Sequence, residues 1–198
     1  MPKLGMPEIR KPQLIDATLE TIGEGGLAKA TVAMISRKAG VSAGIINHYF
    51  GGKDGLLDAA MRTILMQLGD GVRRRRERVP ANQPLERVKA IVAGNFDPRQ
   101  LEPGVAKTWL AFWSEAMHNE GLRRLQRVNE KRLLSHLVFE LRKLLPRDQA
   151  LLVATGIAAL IDGIWLRGAL SGHLDGEGAI ALIEDYLQGQ LALLASRS

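Results

Sequence analysis

A chain of 198 residues, 46% of them hydrophobic, can bury a sizeable core and does not have the composition of a disordered segment. It contains no cysteine, which excludes a disulfide framework, thiol catalysis and a Cys-ligated zinc site, and fits a reducing compartment. The net charge of +6 gathers at one end: residues 1–80 carry 13 Lys/Arg against 8 Asp/Glu, residues 81–198 carry 14 against 13, so a polyanion is expected to meet the amino-terminal part.

In chain order, Ile15, Leu19 and Ile22 at helical spacing predict a first helix ended by Gly25-Gly26. Thr31 is placed as N-cap of a short second helix to about Ala39, closed by Gly40. Ser42 is placed as N-cap of a third to about Tyr49, stopped by Gly51-Gly52. A longer fourth helix carries Leu57, Met61, Ile64, Leu65 and Leu68 on one face and ends near Val79-Pro80. The run Arg73 to Arg76 at its end is open to three readings: capping the last carbonyls, lying solvated, or meeting phosphates. Pro80 to Pro84 reads as a joint.

Five more helices follow. Leu85–Asn95 is one, and Val105–Met117 comes after the breakers Pro98, Pro103 and Gly104. Leu122, Leu125, Leu133, Leu137, Leu141 and Leu144 form one stripe of a long helix stopped by Pro146. Arg147–Leu170 is apolar around most of its circumference, and Gly178–Ala195 repeats Ile180, Ile183, Leu187, Leu191 and Leu194. Helices apolar on all sides need covering on all sides, so the last two are expected to pack against a second copy in a homodimer. No segment alternates with period two. The fold is therefore expected to be all-α, with about nine helices: a helix-turn-helix head (1–53), a connecting helix (54–80) and a body for effector binding and dimerisation (81–198).

The most apolar run, Ala150 to Ile161, is 12 residues long before Asp162 interrupts it, shorter than the ~20 residues of a membrane span. The first thirty residues lack a continuous apolar stretch, so no secretory signal is expected and the cytoplasm is the expected location, with no membrane partner.

The most informative stretch is TVAMISRKAGVSAGIINHYFGGK, Thr31 to Lys53. Two short helices joined by Ala39-Gly40-Val41 make a tight corner, with Ala33, Ile35 and Val41 as the contacts that let them cross. Ile45, Ile46, Tyr49 and Phe50 are expected to anchor the second helix, which leaves Ala43, Gly44, Asn47 and His48 facing outward. Such a helix enters a major groove N-terminus first. Ser42 and the free N–H groups there suit a phosphate, Asn47 suits adenine, Ala43 a thymine methyl, and Lys53 a phosphate.

GVSAGIINHYFGGKDGLL resembles the signature of the TetR (tetracycline-repressor) family. The resemblance implies a bacterial regulator that binds palindromic double-stranded operator DNA as a homodimer and takes a small ligand in its body. Carried over by residue, it implies DNA contacts at Ala43, Gly44, Asn47, His48, Tyr49 and Lys53, with the caps Thr31 and Ser42. Ile46-Asn47 stand where many members have Leu-Tyr, so one aromatic backbone contact is missing.

All three tryptophans lie in the body: Trp109 and Trp113 at i, i+4, and Trp165 three residues after Asp162. Ring faces with one carboxylate suit a quaternary ammonium, each ring contributing roughly 0.5–2 kcal/mol. The alternative is core filler, with Asp162 bonded to a buried Arg such as Arg167. Within the family, the chain is similar along its length to choline-responsive repressors of glycine-betaine synthesis genes. The opening MPKLGM, QLIDATLE, GNFD, WLAFW, RLLSHL and AALIDGIWLRGALSG carry that likeness. It implies choline or a related quaternary ammonium as effector, at Trp109, Trp113, Asp162 and Trp165, with Phe112 and Glu115 as lesser contributors. Another cationic or hydrophobic small molecule is the alternative effector.

No cofactor or metal is expected. The histidines His48, His118, His136 and His173 have no metal-binding spacing, and the GxGxxA matches at Gly23 and Gly176 follow no predicted strand. An enzyme is not expected.

Overall fold

Caps and left-handed glycines set several of the helix boundaries. Thr31 accepts the Met34 N–H at 3.2 Å to open the second helix, Gly51 (φ 72°) closes the third, and Gly172 (φ 75°) closes the eighth. The computed structural model describes residues 6–196 apart from 28, 99 and 102. Among the described residues the chain forms nine α-helices and no strand: α1 (Met6–Gly25), α2 (Val32–Lys38), α3 (Ala43–Phe50), α4 (Lys53–Glu77), α5 (Pro84–Asn95), α6 (Pro103–Ala116), α7 (Glu120–Leu141), α8 (Arg147–Ser171) and α9 (Gly176–Ala195).

Packing divides the chain into two compact units, Met1–Met66 with Pro103–Gln126, and Gln67–Glu102 with Arg127–Ser198. In the first, α1 packs on α2, α3 and α6. Its buried face runs through Leu14, Ala17, Thr18, Thr21 and Ile22, one position round from the Ile15–Leu19 stripe, both of which are half-buried. The two threonines tolerate burial because their hydroxyls donate to Leu14 O and Ala17 O at 2.6 Å. α6 contributes Ala106, Trp109, Phe112 and Ala116 to the interior, so this helix of the expected body packs with the amino-terminal helices.

In the second unit α9 lies on α8 and α5. Side chains are absent where neighbours come closest: a Cβ on Gly156 would clash with the Tyr186 hydroxyl, and one on Gly94 would meet Val72 Cα of the backbone at 2.7 Å. A fully buried Glu140 is held by Arg87 (2.8 Å) and Lys143 (2.5 Å). The same two cations donate to Val79 O and Ala81 O, which ties the joint after α4 to α7. Removing one partner of such a buried pair costs far more than the pair itself contributes.

Several local expectations are corrected. Ala33 is exposed, and Val32, Ile35 and Ser36 face inward instead, because α2 turns its other side to α1. Pro103 opens α6 rather than breaking it, as suits a residue with no N–H to satisfy. Leu144 lies beyond the end of α7 and is exposed. α8 continues past Asp162 to 25 residues and is long and apolar enough, by length and composition alone, to cross a membrane. Its inner side is core: Val153, Ala154, Ile157, Ile161 and Trp165 are buried.

Candidate functional site

The head is built around α3. Ile46 is fully buried, and Ile45, Tyr49 and Phe50 pack on a core of Leu14, Ala17, Ile22, Ala30, Ile35, Leu56 and Leu57. Burying a side chain such as Ile46 contributes about 1.5–3 kcal/mol. That anchoring leaves Ser42, Ala43, Gly44, Asn47 and His48 exposed on the opposite side. Gly40 (φ 64°) makes the corner between α2 and α3.

Ser42 occupies the N-cap in extended geometry, but its side chain makes no capping hydrogen bond. The helix therefore opens with exposed N–H groups and an uncommitted hydroxyl, the arrangement that receives a phosphate. Thr31, by contrast, spends its oxygen on its own cap. Lys53 begins α4, half-buried. Gly55 allows the first turn of α4 to abut α3, since a Cβ there would stand 1.9 Å from Phe50 O. Tyr49 is half-buried, 4.9 Å from the His48 ring and 6.0 Å from Lys11 Nζ. Lys38 is bound to Glu24 (2.7 Å) and Glu20 (3.4 Å), whose hydrogen bonds raise its pKa, so its charge is neutralised within the head.

The aromatic residues fall into two groups. In the first unit Trp109 stands edge-on to Phe112 (5.8 Å between centroids, 72°) and 5.9 Å from Trp113. In the second, Trp165 lies flat against Phe96 (6.2 Å, 8°), a partner not foreseen from sequence. Asp162 does not share Trp165's inner face. Leu152, Thr155, Ala159, Asp162, Leu166 and Leu170 are all exposed, at three-and-four spacing, as one stripe down α8. Arg167 is exposed too, and no ion pair joins it to Asp162. Crowding by the surrounding residues, helped by the charge of Glu130, pushes the Asp162 carboxyl from 3.8 to about 6 even though its surface remains open to water.

Two of the four arginines in the run Arg73 to Arg76 are committed to ion pairs. Arg73 pairs with Asp70 and Arg75 with Asp97, each at 2.9 Å. Asp97 and the neighbouring Gln100, both buried, were not singled out by the sequence reading. No group of three metal-ligating side chains occurs among the described residues.

Two family models match. Residues 14–60 match "Bacterial regulatory proteins, tetR family", and residues 84–192 match "BetI-type transcriptional repressor, C-terminal". The chain is 58% identical over 192 residues to the HTH-type transcriptional regulator BetI of Vibrio campbellii, covering 96% of each. It is 56% identical over 198 residues to the regulator of the same name from Vibrio parahaemolyticus, covering the whole of both. Among solved structures, a transcriptional regulator from Pseudomonas aeruginosa PAO1 superposes with a TM-score of 0.81 at 30% identity, over 94% of this chain and 92% of that one. A transcriptional regulator from Saccharomonospora viridis, solved in complex with choline, shares the fold with a TM-score of 0.80 at 19% identity, over 91% of this chain and 96% of that one.

Proposed function

The chain belongs to the tetR family of bacterial regulatory proteins, with a BetI-type repressor body, and from that premise we propose that it is a dimeric repressor of choline-to-glycine-betaine genes, released from its operator by choline. The observation that carries the reading is its near-full-length identity to regulators named BetI. It is a transcriptional regulator and not an enzyme, and it acts in the cytoplasm, where the operator lies.

Residues 1–53 form the reading head, 54–80 the connecting helix, and 81–198 the effector and dimer body. On the DNA, Ala43, Gly44, Asn47 and His48 face the bases, while Thr31, Ser42, Tyr49 and Lys53 meet the backbone. The exposure of Thr31, Ser42, Ala43, Gly44, Asn47 and His48 around an anchored Ile46, with Tyr49 and Lys53 half-buried beside them, supports this division. A second copy covers the open stripe of α8 and the exposed Leu182 and Leu193 of α9. Two copies present two reading helices to half-sites about 34–36 Å apart on a palindromic duplex.

Choline, as a quaternary ammonium, is taken on tryptophan ring faces of the body, those of Trp109 with Trp113 or that of Trp165, and Asp162 contributes its charge only from the outer face of α8. It shifts operator affinity only by its preference for one conformation over another. A fluorescence-anisotropy titration of betaine-gene promoter DNA tests the reading. Affinity is expected to fall steeply with salt and to drop again with saturating choline. Unchanged affinity in saturating choline would remove the effector, and indifference to duplex DNA would remove the repressor.

A further inference from the structure

One exposed cation of the head, Lys11 on α1, stands outside the tetR-family match, which begins at residue 14. Leu14, three positions on, is fully buried, so Lys11 emerges at the edge of the core on which Tyr49 also packs. Its Nζ stands 6.0 Å from the centroid of the Tyr49 ring. That is the outer limit of a cation–π contact, so the ring gives the ammonium a place without using up its charge. Lys11 forms no ion pair with any described residue, although Glu8 and Asp16 are its neighbours along α1. Other cations of the head are spent differently. Lys38 is neutralised by Glu20 and Glu24, and Arg10 donates from Nη1 to Gln13 Oε1 at 3.1 Å.

On the reading of α3 as the DNA-reading helix, with Tyr49 at the backbone, we propose that Lys11 is a further phosphate-binding residue, holding the strand beside Tyr49. The face of an aromatic ring carries partial negative charge and repels a phosphate, and an ammonium beside it makes the same spot attractive. A lysine suits the task because its point charge rides on a flexible stem and reaches the backbone whatever base lies beneath. It also offsets the aromatic backbone contact missing at Asn47, so α1 contributes what α3 lacks. Because α1 packs on α3, a phosphate held by Lys11 fixes the angle at which α3 enters the groove.

The test is a fluorescence-anisotropy titration of the full-length protein against betaine-gene promoter DNA over a series of KCl concentrations. Each subunit of a dimer brings one Lys11, so Lys11→Ala removes a phosphate contact from both heads. The slope of log affinity against log salt is expected to become shallower by about 1.8, and affinity to fall roughly 10–100-fold at ~0.1 M salt. Lys11→Arg keeps the charge and is expected to keep the wild-type slope. The preference for the operator over a substituted half-site is expected to stay unchanged in Lys11→Ala, because a phosphate contact carries no sequence. Lys131→Ala removes an exposed cation from α7 and is expected to leave the slope unchanged. A wild-type slope in Lys11→Ala overturns the proposal and leaves the repressor reading standing. An equal loss of slope in Lys131→Ala does the same, since it traces the effect to net charge. A lower midpoint of chemical denaturation in Lys11→Ala, with the slope retained, gives Lys11 a packing role against Tyr49 and also overturns it. A wild type that binds no duplex overturns both Lys11 and the repressor.

Discussion

α3 and α8 solve opposite problems. α3 is eight residues long, buries Ile46 and leaves small and polar groups open, so its outer face is satisfied by water. α8 is 25 residues long, buries a full inner stripe and still leaves Leu152, Leu166 and Leu170 open. Water satisfies nothing on that outer face, and only another apolar surface does. On the proposed reading, exposure has two meanings in one chain: on α3 it marks a surface for reversible polar reading, and on α8 a surface awaiting a permanent cover.

Charging the outer face of α8 should break the comparison most sharply. Leu152→Asp with Leu170→Asp is expected to leave a folded monomer and abolish operator binding, because a single head meets only one half-site. Analytical ultracentrifugation with a gel shift checks it, and a dimer that still binds DNA would contradict the α8 assignment. Next in size, Ile46→Ala is expected to cost about 2–5 kcal/mol in the head, read by chemical denaturation. Asn47→Ala on the opposite side should leave the melting temperature unchanged and lose about 1–3 kcal/mol of operator discrimination, measured against a substituted half-site.

A smaller effect belongs to pH. The Asp162 carboxyl, raised to about 6, is charged at pH 7 and largely protonated at pH 5. Because an acid whose folded pKa is raised takes up its proton early, any attraction it gives choline is full above pH 7 and fades as pH falls through 6. Choline affinity should drop roughly tenfold by pH 5, and Asp162→Asn should flatten the profile. A profile equally steep in the variant would place the titrating group elsewhere. Smallest is Gly71→Ala, expected to raise stability by roughly 0.5–1 kcal/mol through helix propensity, since its Cβ meets no neighbour.

The head was legible in the sequence because its information is local: caps, left-handed glycines and a four-residue apolar anchor lie within about twenty positions. The Thr31 cap, the Gly40 corner and the split between Ile46 and Asn47 all follow from neighbours in the chain. The body was legible only as helices. Nothing near Trp165 signals that Phe96 will lie against it, since the two are distant in sequence and share no repeat. Asp162 looked like a buried charge because apolar residues flank it, but the helical period turns it outward while Trp165, three positions on, turns in. Asp97 and Gln100 sit in a short irregular stretch between α5 and α6, where no period exists to show which side chains face inward. Pairing with Arg75 gives Asp97 its role, and only the folded chain makes that pair.

The missing side chain at Gly55 has a further consequence. With the Phe50 carbonyl lodged where a Cβ would stand, the end of α3 and the start of α4 share one van der Waals surface and no slack is left between them. A side chain at Gly55 would force the two helices apart, so α3 and the first turn of α4 are expected to move together. On the proposed reading, control by tilt would then alter the distance between two readers and leave untouched which bases each of them prefers.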